Sequence, residues 1–421
     1  MLTYKVGGSV RDHLLGLPVS DQDWVVVGAT PQTMLDLGFR QVGADFPVFL
    51  HPQSGEEYAL ARTERKSGPG YLGFTVNFDP GVTLEEDLER RDLTINALAM
   101  DKTGRIIDPF GGREDLKNRI LRHVSPAFGE DPLRVLRVAR FFARFHALGF
   151  QIAPDTLNLM TQLVDSGELD HLTPERVWME TVKALASPRP SRYFETLRIS
   201  RGLAVIFPEL AALIGQSQPS KHHPEGDAWV HTLEVLDRAA ELSSHLPVRF
   251  ASLMHDLGKG ATPKDELPHH YGHDEVGGQL VEKFCQRLRA PKSYRKLAVL
   301  AARFHIRCHL AEEMQAKKIV KLLVATDAFR HPDRFQNLLT VCQADAQGRG
   351  QSEKQGYPEG DILLAGLKAC QKVDHQKLLA QGFQGDQFAQ ALHQERVRLV
   401  KTVLAERADS TEESTRRYKR E

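Results

Sequence analysis

The spacing of apolar residues changes character near residue 130. Upstream, short apolar runs of strand length occur at Trp24–Val27, Val48–Leu50, Tyr58–Ala61 and Ile106–Asp108, with helical stretches between them. Downstream, the pattern is helical almost to the C-terminus. It predicts a small α+β head, a sheet with helices, followed by all-α structure. Glu85–Met100 has the spacing of one amphipathic helix, and Glu130–His146 that of another. Thr63–Thr83 is rich in Gly and Pro and reads as an irregular, mobile loop. Gln216–Asp227, polar with two prolines, reads as a linker. The expected regions are therefore a head (1–130), a helical neck and body (131–220) and a third, all-helical region (221–421), whose charged end from about Arg407 is expected to fray.

Composition narrows this little. The 421 residues hold 55 Lys+Arg and 55 Asp+Glu, so any nucleic-acid contact must come from clustered rather than overall positive charge. Cys285, Cys308, Cys342 and Cys370 are scattered, with no Cys-x-x-Cys pair, which fits a reducing cytoplasm and argues against a zinc ribbon or disulfide framework. The N-terminus does not read as a signal peptide, and no apolar run approaches the ~20 residues a membrane span needs.

Chemistry concentrates first in Tyr4–Val27, YKVGGSVRDHLLGLPVSDQDWVVV. Gly7-Gly8-Ser9 allows close approach of a phosphate to backbone N–H groups, with a hydroxyl as a further donor. Asp21 and Asp23, two residues apart at the start of a strand, project to one side. Two carboxylates so placed, with a phosphate-binding turn nearby, suit Mg²⁺ carrying a triphosphate. In EDPLRVLRVARFFARFH, Asp131 caps a helix with Pro132 at its first turn, and Arg134, Arg137, Arg140 and Arg144 share one face. An acid and an arginine together can accept from and donate to the Watson–Crick edge of a base.

The ordered strings GGSVRDHLLG, DQDWVVVG, RRDLTINALA, DPFGG and EDPLRVLRVARF resemble the tRNA nucleotidyltransferase (CCA-adding enzyme) and bacterial poly(A) polymerase branch of the polymerase-β-type superfamily. The resemblance covers about the first 150 residues. It implies a polymerase-β-like head in which Asp21 and Asp23 hold Mg²⁺, with Glu57 as a third acid on a neighbouring strand. It implies that Gly8 and Arg11 hold the triphosphate, that Arg91 approaches sugar or phosphates and that Asp92 lies by the ribose. Asp131 and Arg134 would select C or A, with Arg137 and Arg140 lining the pocket. CTP, ATP and a tRNA 3′ end are then the expected partners, with no membrane partner and a monomer or homodimer.

A second centre follows. His231, the adjacent pair His255-Asp256, His273, His305 and Asp345 recur through the helical third region. Adjacent His-Asp on an otherwise apolar helix is costly to bury unless something binds both, and mixed imidazole and carboxylate ligands favour a transition metal. The order, with Lys259 after His-Asp, resembles HD-domain phosphohydrolases. There His255 and Asp256 are catalytic, His231, His255, Asp256 and Asp345 are ligands, and Lys259 helps to bind phosphate. Bacterial CCA-adding enzymes that carry such a region imply 2′,3′-cyclic phosphodiesterase, 2′-nucleotidase and phosphatase activity, with Ni²⁺ favoured. The rivals are a poly(A) polymerase, a CC-only or A-only enzyme, and an HD nucleotide hydrolase whose head only binds RNA.

Overall fold

The computed structural model describes residues 1–19, 22–42, 48–66, 74–221, 223–349 and 356–418. The chain divides into two compact units, Met1–Pro208 and Glu209–Glu421.

Unit 1 begins with β1 (Leu2–Val6), α1 (Gly8–Leu14), β2 (Asp23–Val27), α2 (Pro31–Asp36), β3 (Arg40–Val42), β4 (Val48–Leu50) and β5 (Glu57–Leu60). There follow β6 (Thr63–Lys66), β7 (Phe74–Asn77), α3 (Leu84–Glu89), β8 (Ala99–Met100), β9 (Ile106–Ile107), α4 (Gly112–Asn118) and β10 (Ile120–Leu121). Seven strands form one mixed sheet in the order β3-β4-β5-β2-β1-β8-β9. Only β2 and β5 pair in parallel; the other neighbours are antiparallel. Neighbouring residues of β2 serve opposite faces. Val25 packs with Val6, Leu88 and Ala99, and Val26 packs with Met34, Phe49 and Leu60. The uninterrupted apolar run of β2 is thus explained by a sheet covered on both sides.

Two expectations are corrected. Thr63–Thr83 is not wholly irregular: β6 and β7 pair as an antiparallel hairpin, whose tip (67–73) lies outside the described residues. Glu85–Met100 is not one helix. α3 starts at a capping box between Thr83 and Glu86 and stops at Glu89. Asp92 then accepts from the Leu93 N–H and the Asn96 side chain, and Ala99–Met100 joins the sheet beside β1. Local side-chain bonds and strand pairing together outcompete the helical pattern.

The rest of unit 1 is mostly helical: α5 (Leu133–Phe145), β11 (Gln151–Ile152), α6 (Pro154–Asp165), α7 (Pro174–Leu185), α8 (Ser191–Ile199) and α9 (Gly202–Ile206), then α10 (Pro208–Ala211) at the boundary. The cap of α5 is Pro132, one residue later than expected, and the Asp131 carboxylate before it accepts from the Leu133 N–H. α5 packs on α7 and α8 and buries Leu136, Phe141 and Phe145.

Unit 2 comprises α11 (Ala228–Leu242), α12 (Leu246–Met254), α13 (His273–Arg287), α14 (Lys292–His309), α15 (Ala316–Ala325), α16 (Pro332–Gln347), α17 (Pro358–Gln371), α18 (His375–Ala380) and α19 (Gly385–Tyr418). α12, α14 and α16 pack on one another, with α11 and α13 outside them. The segment read as a linker folds into this unit: Ser217 bridges to Asp227, whose side chain caps α11. The backbone of the charged tail, expected to fray, is helical to Tyr418. No helix among the described residues is long and apolar enough to cross a membrane.

One glycine brings the second centre together. After α12 the chain makes a 3₁₀ turn, Leu257–Ala261, against the start of α13. A Cβ on Gly258 would lie 2.0 Å from the His273 carbonyl oxygen and 2.7 Å from the Gly277 nitrogen. Both are backbone atoms that cannot swing aside. Gly258→Ala is expected to destabilise unit 2 by about 1–3 kcal/mol, read as a lower urea midpoint, because overpacking must push the turn off α13.

Candidate active sites

In unit 1, β1 ends at a turn in which Gly7 adopts φ of 67°. That backbone conformation favours glycine, and a Cβ there would lie 2.8 Å from an Arg91 guanidinium nitrogen. Arg91 is thereby packed on the turn and also pairs with buried Asp87 at 3.2 Å. Gly8 is the first residue of α1. The Ser9 hydroxyl, expected to face a phosphate, donates instead to the Val6 carbonyl at 3.0 Å. Asp23 starts β2 and Glu57 starts β5, directly opposite in the parallel register and both exposed. Asp21 lies outside the described residues.

The arginines of α5 are distributed among distinct partners. Arg144 donates to Asp12 at 2.9 Å and Arg137 to Asp92 at 2.7 Å. Arg140 pairs with Glu180 and stacks 4.1 Å over Phe141. Arg134 donates to the Ala127 and Arg90 carbonyls, and Asp131 is held by Arg176 at 3.1 Å. Arg11, from α1, is buried against Phe141 and Phe145, with its guanidinium on Asp12 and the Asn96 side chain. Asn96 in turn donates to Asp92 at 2.8 Å. The path Arg144–Asp12–Arg11–Asn96–Asp92–Arg137 is therefore continuous. Arg144, at the end of this path, and Arg140 line a cavity of about 620 Å³ with Lys183, Leu17 and Pro18.

Burial alone would raise the Asp92 carboxyl, but Arg137 and Asn96 outweigh it and hold the group well below the usual carboxylate range. Asp92 raises Arg137 in return, against burial.

In unit 2, Asp256 sits between two groups of histidines. Its Oδ2 lies 3.3 Å from His255 Nε2 and 3.6 Å from His231 Nε2, and its Oδ1 lies 3.3 Å from His273 Nε2 and 3.4 Å from His305 Nε2. Asp345 Oδ1 is 3.2 Å from His231 Nε2. Lys259 reaches both Asp256 and Gln218. The outer nitrogens are engaged elsewhere. His255 Nδ1 meets the Ser252 carbonyl at 2.7 Å, His273 Nδ1 that of His270 at 2.6 Å and His305 Nδ1 that of Ala301 at 2.9 Å. His231 Nδ1 is 2.8 Å from Glu225.

Each outer acceptor calls for Nδ1–H, so a neutral ring points an Nε2 lone pair at a carboxylate oxygen. Acceptor then faces acceptor. The inward nitrogens of His231, His255 and His273, and Asp256 Oδ1, are buried without a hydrogen-bond partner. A divalent cation resolves that conflict, and the imidazole and carboxylate donors fit a transition metal. Asp256 and Asp345 stay ionised well below the usual range. Burial opposes this, and positive charge against each carboxylate, from Lys259 for the first and Arg349 for the second, outweighs it.

The sequence missed the outer partners. Glu225 contacts His223 and His231, and those bonds outweigh burial and hold it at about 2. His309 bridges Asp345 (2.6 Å) and the Tyr357 hydroxyl (3.0 Å), and Arg349 pairs with Asp345 at 3.2 Å. The nearness of HHPEGD to His231 was the one available signal for Glu225.

Residues 3–122 match the Poly A polymerase head domain family, 149–214 the family described as a probable RNA and SrmB-binding site of polymerase A, and 229–345 the HD domain. A polymerase-type head on a helical body, followed by an HD domain, defines the class. A multifunctional CCA protein of Hahella chejuensis is 54% identical over 98% of each chain. Among solved structures, the Bacillus stearothermophilus CCA-adding enzyme in complex with CTP is 25% identical, with a TM-score of 0.61 over 98% of this chain and 94% of that one. The Thermotoga maritima CCA-adding enzyme complexed with tRNA is 20% identical, with a TM-score of 0.63 over 96% and 91%. The chain belongs to the multifunctional CCA protein family.

Two predictions follow from these geometries. Asp92→Asn is expected to destabilise unit 1 by about 3 kcal/mol at pH 7, the low end for breaking a buried pair because Arg137 remains partly exposed. A depressed carboxylate contributes stability above its unfolded pKa and loses it as pH falls toward the folded value. The gap in urea midpoint between wild type and variant should therefore narrow below about pH 4. Glu225→Ala is expected to weaken divalent transition-metal binding by about 10–100-fold, measured calorimetrically on metal-stripped protein, by freeing the outer nitrogen of His231.

Proposed function

We propose that this protein adds and repairs the 3′-terminal CCA of tRNA, using CTP and ATP and no nucleic-acid template. We propose further that unit 2 is a metal-dependent phosphohydrolase acting on 2′,3′-cyclic phosphodiesters, 2′-nucleotides and phosphomonoesters. The observation that carries the first reading is the placement of Asp23 and Glu57 side by side on β2 and β5, in the unit that holds the Gly7–Gly8 turn and the capped arginine helix. Family membership supports both readings.

In the head, Asp21 and Asp23, with Glu57 beside them, would hold Mg²⁺. When bound it would activate the 3′-hydroxyl and neutralise charge on the departing pyrophosphate. The chain's own residues do the selecting and holding. Gly8, Arg11 and Arg91 keep the triphosphate, with Arg91 fixed on the turn by Asp87, and Arg137 and Arg140 line the nucleotide pocket. Asp131, steadied by Arg176, and Arg134 present an acceptor and a donor to the base edge; Asp92 lies by the ribose.

In unit 2, His231, His255, Asp256 and Asp345 hold the metal, with His273 and His305 completing the cluster on the other oxygen of Asp256. Ni²⁺ suits this donor set. A metal held there would supply Lewis-acid activation for phosphate-ester hydrolysis. Lys259 places positive charge where the phosphate must sit. A tRNA end carrying a phosphate could be cleared by unit 2 before the head extends it.

Full-length protein is incubated with Mg²⁺, CTP, ATP and tRNAs lacking CCA, ending in C or ending in CC, with products resolved at single-nucleotide length. All three are expected to reach CCA and stop, and Asp23→Ala to abolish extension. Long A tails would identify a poly(A) polymerase, a stop at CC a partial enzyme, and no extension a head that only binds RNA.

A further inference from the structure

The loop before α13 carries three consecutive ring side chains, and they divide their work. His270 points inward, sharing a hydrogen bond with the Thr262 hydroxyl (2.8 Å) and meeting the Ser217 carbonyl (3.0 Å). Those contacts brace the loop against the segment that leads into α11. His269 and Tyr271, on either side, point out. Their rings stack with centroids 5.7 Å apart and planes at 23°.

Tyr271, 78% exposed, is the most exposed large apolar side chain among the described residues. Its ring therefore adds little to the core. Yet both rings line the same cavity of about 340 Å³ as Asp256, His273, Lys259 and Arg349. That volume is within the range of small-molecule sites. One part of the cavity thus holds the metal-ligand cluster and two cations, which suit a phosphate, and another a braced aromatic surface, which suits a flat ring.

We propose that Tyr271 and His269 form a stacking platform for the nucleobase of a nucleotide whose phosphate lies at the His-Asp cluster. This rests on the phosphohydrolase reading of that cluster. The platform offers a π-face and no hydrogen-bond code, so it accepts any base and discriminates against phosphate esters that lack one. Tyr271 and His269 are positioning residues: they set affinity for the base and leave the chemistry at phosphorus to the cluster.

The test is steady-state hydrolysis by the full-length, Ni²⁺-loaded protein, with adenosine 2′-monophosphate and glycerol 2-phosphate as substrates. Tyr271→Ala is expected to raise KM for the nucleotide about tenfold, the scale of one base–aromatic stack, with kcat and the glycerol 2-phosphate KM unchanged. Tyr271→Phe should restore the nucleotide KM. Equal changes with both substrates, or no change with either, overturn the proposal.

If wild type hydrolyses neither, the phosphohydrolase reading fails, and the platform is judged by equilibrium dialysis of adenosine 2′-monophosphate with the head saturated by CTP. Weaker binding by Tyr271→Ala then supports the platform, and equal binding overturns it. A tRNA ending in a 2′,3′-cyclic phosphate separates the sources of the base. A matching KM penalty places an RNA end on the platform, whereas a penalty with the free nucleotide alone restricts it to mononucleotides.

Discussion

Unit 1 depends on a single run of charge-assisted hydrogen bonds, Arg144–Asp12–Arg11–Asn96–Asp92–Arg137. It joins the helix after the glycine turn, the segment after α3 and the arginine face of α5, which lie far apart in sequence. Charges taken out of water must be matched or they oppose folding. Here three arginines meet two carboxylates and one amide, and each carboxylate is bound at both oxygens. The three- and four-residue spacing of the α5 arginines follows from this, because one helix face must meet the head along its length. Arg11, Asp92 and Arg137, proposed above to handle the nucleotide, thus also tie the N-terminal sheet region to α5.

Unit 2 uses charge in the opposite way. Its histidines are fixed from outside by carbonyls and Glu225, and this tethering turns their second nitrogens toward Asp256 and Asp345. In unit 1 every acceptor at the centre faces a donor; in unit 2 acceptors converge. Such an arrangement suits a divalent cation, and its outer shell keeps the rings oriented to receive one. His309, bridging Asp345 and Tyr357, extends that shell to α17.

The sequence alone carried a great deal. The change in periodicity near residue 130 separated a small sheet from helices, and the runs at Trp24–Val27 and Val48–Leu50 became β2 and β4. The polymerase-type head and the HD region were legible because particular residue types recur in a short order: Gly-Gly, the arginine-striped helix, adjacent His-Asp.

What only the tertiary structure decided was long-range. The helical pattern of Glu85–Met100 gave way to a turn and a strand because Asp92 bonded locally and β1 offered an edge to Ala99–Met100. The apparent linker at Gln216–Asp227 became a wall of the second site, since Glu225 and Gln218 find partners only once α11 and the 3₁₀ turn at Lys259 are in place. The resemblance had already suggested Glu57 beside the aspartates and His305 in the cluster, but the register that sets Glu57 opposite Asp23 and the packing that brings His305 within 3.4 Å of Asp256 are tertiary. Periodicity records which face a residue presents; it does not record which residue will stand opposite, and that depends on how the faces pack.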